Sequence, residues 1–508
     1  MQNRRAGILL PIFSLPSRYG IGSLDLAAYR FVDFLSASGQ SEWQILPLGP
    51  TGFGDSPYQS FSSYAGNPYF VSLEALISDG LLEKEECEAA ELEDECERVD
   101  YARQYLRRLP LLRLAYSRAI TSPRLEAELS AFCHQNPRIC EYALFMAIKE
   151  ERAGAPWNEW ETELRFRDPE AISRAERSLS REIGFHAFVQ YRFFRDFDRL
   201  HAYARQKGIG IIGDLPIYLS YDSAEVWASP ERFCLDEELR PTAVAGCPPD
   251  GFSKEGQLWG NPLYRWSLHE SEGFSWWVSR ILEAKRLCDT LRIDHFRGFA
   301  GYYAVPFGAP DAREGRWEKG PGMALFRALF EKCPSPDLIV EDLGFVDDEV
   351  RRLVREAGFP NMRVLEFGFD TRDDSKKNEH LPHAYPQNCA AYLGTHDNET
   401  ALSWLRGRSE DERRLLLDYL AMGEASEESA IHAMIALLMR SAADRVIITM
   451  QDWLGLSDEA RINRPSSVGE NWRWRLRRDQ LSPSLCERIL RITALCGRRN
   501  ENIKENEG

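Results

Sequence analysis

Apolar residues gather along this chain into short continuous runs. Eight of these follow in order, most ending in polar or ionisable residues: Gly7 to Ser14, Trp43 to Leu48, Ile209 to Pro216, Leu291 to Asp294, Leu338 to Asp342, Arg363 to Phe367, Ala390 to His396 and Val446 to Asp452. A strand with one face in water alternates apolar and polar positions, whereas a strand buried on both faces does not. Continuous runs therefore predict a parallel sheet covered on both sides. Segments with helical period lie between several of the runs, at 24–38, 322–331, 347–357 and 410–422. The alternation predicts an α/β fold, and eight strands are the number a (β/α)8 TIM barrel requires.

Two intervals are too long for simple strand-to-helix connections. Between Leu48 and Ile209 a loop, a charged stretch and further helical patterns predict a helical insertion subdomain over residues 75–185, with the acidic run from Glu83 to Glu97 as a solvated helix face. Residues 220–276, rich in Pro, Gly and Trp, predict a loop-rich, lid-like insertion over the active site, because long loops in compact domains usually serve a site. About 56 residues follow Asp452, too few and too poor in strand pattern for a separate C-terminal β-domain. Residues 1–508 are thus expected to form a single catalytic domain, since barrels with insertions can exceed roughly 400 residues as one unit.

A net charge of −16 disfavours nonspecific nucleic-acid binding, which needs a dense cationic surface. The Arg cluster from Trp472 to Arg478 is the basic exception and reads as a solvated segment or as internal ion pairs. The 11 cysteines are odd in number and lack C-x-x-C spacing, as expected of free thiols in a reducing compartment, and the reading is cytoplasmic. The run from Gly7 to Phe13, interrupted by Pro11, reads as the first strand and not as a signal peptide. No run approaches the roughly 18 residues of a membrane span, so no membrane partner is expected.

Three acids at or just past run ends stand out: Asp294, Glu341 and Asp397. In a parallel barrel these ends deliver all three carboxylates to one rim. Such a set, without a metal-binding His pair, suits cleavage of glycosidic bonds, in which one acid protonates the leaving oxygen and another attacks or steadies a cationic sugar. The nine histidines show neither His-x-His nor H-E-x-x-H, and Pro382 between His380 and His383 rules out helical presentation, so no metal is expected. Arg292, two residues before Asp294, falls on the same strand face and is expected to hold its carboxyl low. Asp342 falls on the face opposite Glu341 and reads as structural.

The segments Arg292-Ile293-Asp294-His295-Phe296-Arg297-Gly298-Phe299, Glu341-Asp342-Leu343-Gly344 and Thr395-His396-Asp397-Asn398 resemble the amylomaltases, or 4-α-glucanotransferases, a branch of the α-amylase group. The resemblance extends to the stretch from Gly49 to Ser60, Gly213-Asp214-Leu215-Pro216-Ile217-Tyr218, Pro248-Pro249-Asp250-Gly251-Phe252-Ser253, Gly256-Gln257-Leu258-Trp259-Gly260 and Asn463-Arg464-Pro465. It implies a retaining enzyme that cleaves α-1,4-glucosidic bonds and passes the glucan segment to the 4-hydroxyl of another glucan or glucose. Asp294 would be the nucleophile, Glu341 the acid/base and Asp397 the acid that steadies the transition state.

The same resemblance places Arg292, His295, His396 and Asp214 around the reacting sugar. It makes Tyr58, Trp259 and Phe367 aromatic subsite walls, and Ser56, Asp250, Gln257, Asp370 and Asn463 polar contacts. No cofactor is implied, and the partners are α-1,4-glucans and malto-oligosaccharides. Phe53 stands where many relatives have Tyr, which weakens any auxiliary groove with Tyr101. An amylase-like hydrolase and a non-catalytic glucan-binding protein remain alternatives on the same barrel. No feature of the sequence specifies an oligomeric state.

Overall fold

The structure, a computed structural model, describes residues 4–52, 54–92, 97–249, 254–369 and 378–500. In chain order its strands are β1 (Arg5–Leu9), β2 (Glu42–Gln44), β3 (Gly210–Leu215), β4 (Ala243–Cys247), β5 (Gln257–Pro262), β6 (Thr290–Ile293), β7 (Gly301–Pro306), β8 (Arg316–Lys319), β9 (Leu338–Val340), β10 (Asn361–Val364), β11 (Cys389–Tyr392) and β12 (Arg445–Thr449). Eight of them close into a parallel barrel in the order β1-β12-β11-β10-β9-β6-β3-β2. Each overlaps one of the eight apolar runs. With helices between many of the strands, the architecture is the expected (β/α)8 barrel.

Several runs are longer than their strands, for local reasons. Pro11 has no N–H to give a neighbour, so β1 stops at Leu9 and the chain turns through a short 3-10 helix at Ile12–Ser14. After Thr449 the run continues as the helix Met450–Leu454, because the Thr449 side chain accepts from the backbone N–H of Asp452 and caps it. Beyond Val364 the chain forms a 3-10 helix over Leu365–Phe369, so Phe367 lies past the strand.

Alternation along each strand explains the two apolar layers. Leu9, Ile212, Ile339, Met362, Val364, Ala390, Tyr392 and Ile447 fill the barrel interior. Their chain neighbours, among them Ile8, Ile211, Val340 and Val446, face the surrounding helices, as does Ile293 beside the inward Arg292. Burying each such side chain contributes about 1.5–3 kcal/mol. At the opposite end from the acids, Arg445 ties three strand beginnings together through Glu42 at 3.0 Å and Asp337 at 2.8 Å.

Between β2 and β3 the helices run from Leu73–Ser78 to Ser180–Gln206, so residue 185 falls inside the last of them. The stretch 220–276 contains more than loops: β4 and β5 pair antiparallel with each other, and β4 also pairs with β7, giving a second sheet in the order β5-β4-β7-β8. Helices follow β12, and among the described residues no further strand does. No described helix is long and apolar enough to cross a membrane.

Candidate active site

The site begins with strand register. β3 and β6 pair so that Asp214 stands directly beside Arg292, and both side chains point into the barrel. The Arg292 guanidinium, 3% exposed, donates through Nη1 to both Asp214 carboxylate oxygens at 2.7 and 2.8 Å. Its Nη2 lies 3.0 Å from Oδ1 of Asp294. One cation therefore serves two carboxylates, and the fork of the guanidinium fixes them relative to each other.

The ladder runs one residue past the strand ends. Asp294 N–H donates to the Leu215 carbonyl, and Glu341 N–H to that of Ile293, both at 3.0 Å. Glu341, two residues on from the inward Ile339, faces the same interior. Its two carboxyl oxygens accept from the backbone N–H groups of His295 at 2.7 Å and Leu343 at 2.8 Å. His295 can present its N–H this way because its backbone is left-handed, with φ +50°.

Electrostatics correct one expectation. Burial pushes the Asp294 carboxyl well above the usual carboxylate range, and Asp214, Glu341 and Asp397 add to the rise; Arg292 opposes it without prevailing, since it is shared with Asp214. Burial likewise raises Glu341, with Asp342 the neighbouring carboxylate that contributes, while Arg292 and the two N–H donors pull it down. His295 and His396 are both driven down by burial, His295 to about 3, so each is neutral at pH 7.

The loop after β11 brings His396 and Asp397 to the same rim. Tyr58 bridges to it: its hydroxyl donates to Asp214 at 2.7 Å and lies 2.9 Å from Nε2 of His396, and the two rings stack at 5.4 Å. Ser56 Oγ accepts from the Tyr58 N–H at 3.3 Å, shaping that loop. Asp397, its side chain 44% exposed, accepts from Asn463 Nδ2 at 2.6 Å, and Asn463 N–H returns to the His396 carbonyl. Trp259 on β5 meets the His295 ring edge-on at 4.8 Å and donates to Gln257 at 3.1 Å. Phe367 packs over the barrel interior with its ring edge-on to His380.

The structure thus gathers Asp214, Arg292, Asp294, His295 and Glu341 in one linked group and Tyr58, His396, Asp397 and Asn463 in a second joined to it through Tyr58. Asp250, Asp370 and Phe53 lie outside the described residues. Asp342 accepts from Asn361 Nδ2 and the Met362 N–H, fastening β9 to β10. His380 and His383 have separate partners, the Val364 N–H and the Tyr419 hydroxyl. Tyr101 is buried, with its hydroxyl given to the Trp472 carbonyl, so it offers no open ring to an auxiliary groove.

Sequence reasoning passed over three neighbours. Trp472 flanks Tyr58 at 5.7 Å and His396 at 6.1 Å; it lay in the Arg cluster, whose members bond internally, as Arg477 does with Glu97. Arg461 donates to the Asp397 and Asn463 carbonyls, and its place two residues before Asn463 was the available signal. Glu366 lies buried beneath the loop of Gly394, where a Cβ on that glycine would come within 2.9 Å of its carboxyl. Nothing in its sequence context marked it.

A (β/α)8 barrel whose strand ends gather carboxylates and a shared arginine at one rim is the class of protein that fold and site define. Within that class the chain belongs to the 4-alpha-glucanotransferase family, whose pattern it matches over residues 10–481. It is 42% identical over 507 residues to the 4-alpha-glucanotransferase of Streptococcus pneumoniae, covering 99% of each chain. It is 45% identical over 488 residues to that of Thermus thermophilus, covering 94% of this chain and 96% of the relative. Its structure is similar to that of the amylomaltase of Streptococcus agalactiae in complex with acarbose, with a TM-score of 0.95 at 38% identity over 98% of this chain and 100% of that one.

Proposed function

We propose that the protein is a retaining 4-α-glucanotransferase acting on α-1,4-glucans and malto-oligosaccharides. The observation that carries the reading is the Arg292 fork, which holds Asp214 and Asp294 side by side while the backbone next to Asp294 holds Glu341. Burial raises both rim acids; the reaction needs the charge on Asp294, whose ionised form Arg292 stabilises, and the proton on Glu341.

An Asp294 oxygen then bonds to the anomeric carbon as the bond to the leaving glucan breaks, and Glu341 passes its proton to that leaving oxygen. Asp397, oriented by Asn463, steadies the cationic sugar between these events. In the second half Glu341 takes the proton from the 4-hydroxyl of an acceptor glucan, whose oxygen displaces Asp294. Neutral His295 and His396 donate or accept hydrogen bonds without adding charge. Tyr58, Trp259 and Phe367 offer ring faces to the sugars, while Ser56, Gln257 and Asn463 supply polar contacts, as do Asp250 and Asp370. No cofactor enters these steps.

On the same reading residues 75–185 form a helical insertion on the barrel, and residues 220–276, which carry Gln257 and Trp259, cover the cleft. The described cysteines are free thiols, which supports a cytoplasmic location. Incubation with maltotriose tests the function. Transfer yields glucose and a ladder of longer chains; shorter sugars alone would make the protein a hydrolase, and unchanged maltotriose a binding protein.

A further inference from the structure

Away from the rim residues above, two large aromatic side chains stand in the open. Trp317 on β8 is 40% exposed, and Phe345, in the loop after β9, is 60% exposed. Their centroids are 5.9 Å apart with planes inclined by only 23°. The guanidinium of Arg297 lies over Trp317 at 3.7 Å and is 5.6 Å from the Phe345 centroid. A Phe345 ring on the far face of Trp317 would be much farther from that cation, so Phe345 is offset toward the side of Trp317 that Arg297 occupies. Together they make one shallow platform with Arg297 beneath it.

The platform is held rigidly. Arg297, 4% exposed, donates to the Phe345 carbonyl at 2.9 Å and to Asp347 at 3.2 Å, and Tyr303 meets Trp317 edge-on at 5.1 Å. The stem of the platform is also the stem of the site, because Arg297 follows Asp294 by three residues and Phe345 follows Glu341 by four. Flat apolar faces fixed in place before binding suit rigid rings with apolar faces and hydroxyl edges, and lose little freedom when covered. Two neighbouring, near-parallel rings offer contacts to more than one sugar unit of a chain.

Position decides which chains could reach it. Leu258, Gly246, Tyr303 and Trp317 stand in register across the four strands of the small sheet. Trp259 follows Leu258 where the β4–β5 register shifts, and its ring packs on Tyr218 and His295, whereas that of Trp317 packs on Tyr303, Arg297 and Phe345. The two places share no ring contact among the described residues, so a long glucan is the ligand expected to engage both.

We propose that Trp317 and Phe345 form a surface subsite for long α-1,4-glucan chains, separate from the cleft and tethered to its two acid-bearing loops. The inference rests on the glucanotransferase reading for its ligand class. The test uses full-length wild type, Trp317→Ala, Phe345→Ala, the double variant and Trp317→Phe. Amylose binding is read by retardation in amylose-containing native gels, and maltotriose turnover by steady-state kinetics.

The double variant is expected to lose about five-fold or more in amylose affinity, while kcat and KM on maltotriose stay within about two-fold. Trp317→Phe, which keeps a ring over Arg297, should restore most of the binding. Phe345→Ala alone, at the more exposed ring, serves if the double variant folds poorly. Unchanged amylose retardation in the double variant overturns the proposal, as does an equal loss on maltotriose, which would place the rings in the cleft. If wild type binds amylose but converts neither sugar, the glucanotransferase reading fails while the platform is still judged by retardation.

Discussion

The backbone N–H of His295 donates to Oε2 of Glu341 at 2.7 Å, so the residue that follows one rim carboxylate fixes the position of the other. The contact depends on a left-handed backbone at His295, a conformation Asn tolerates and β-branched residues resist. His295→Asn is expected to keep that backbone and lose the edge contact to Trp259, raising KM on maltotriose while kcat falls by less than about ten-fold. His295→Val introduces strain of about 1–3 kcal/mol at the same point. It should displace the N–H and lower kcat by about a hundred-fold. Equal kcat in the two variants would mean that this hydrogen bond does not position Glu341.

Removal of the Asp294 charge should separate function from stability. In Asp294→Asn the guanidinium keeps both bonds to Asp214, and a buried carboxyl held above its ordinary range is replaced by a neutral amide. Turnover is expected to fall by about four orders of magnitude or more, because an amide cannot form the glycosyl ester. The melting temperature at pH 7 should stay level or rise. Retained transfer activity would remove Asp294 from the mechanism, and a large drop in melting temperature would make it a structural anchor.

The barrel was legible because eight double-sided strands leave continuous apolar runs, and the rim was legible because Asp294, Glu341 and Asp397 stand at or just past run ends. Helix caps were not: the turn from β12 into Met450–Leu454 is decided by one Thr449 hydroxyl. The small sheet was not legible either, since β4, β5 and β8 are short and carry Gly, Pro or charge, and the β4–β7 pairing that joins its two halves spans a long stretch of chain. The charge balance at Asp294 depends on how many carboxylates share Arg292. Spacing showed one of them, and register supplied the other.

Stability should depend on pH through two buried acids near the rim. Burial pushes Asp452 up to about 6, and it pushes Glu366 well above its ordinary range, with Asp452 adding to the rise. A carboxyl whose folded pKa exceeds its unfolded value contributes stability in full below the unfolded value and loses it as pH climbs through the folded one. For Asp452 that window runs from about 4 to 6; for Glu366 it opens at the ordinary glutamate value and extends upward. Glu366→Gln is uncharged throughout, so urea unfolding should show it gaining on wild type between pH 4 and pH 8. A constant difference across that range would mean that Glu366 takes up no proton on folding.

The assignment of Glu341 is tested most sharply by separating the two halves of the reaction. Glu341→Gln keeps the shape of the side chain and one of its two backbone N–H contacts, since an amide has a single accepting oxygen, but has no proton to give. Glycosylation from maltotriose, whose leaving group needs that proton, should fall by about three orders of magnitude or more. With α-glucosyl fluoride the leaving group departs unaided, so the first step should be far less impaired. Deglycosylation still lacks the base that activates the acceptor hydroxyl, and the covalent intermediate should accumulate. Intact-mass measurement should then show one added glycosyl unit, mapping after proteolysis to the peptide that contains Asp294. Equal impairment with both substrates and no trapped adduct would exclude Glu341 as the acid/base. The role would then pass to Asp397, whose side chain is open to the cleft, in preference to Asp342, which is committed to Asn361 and Met362.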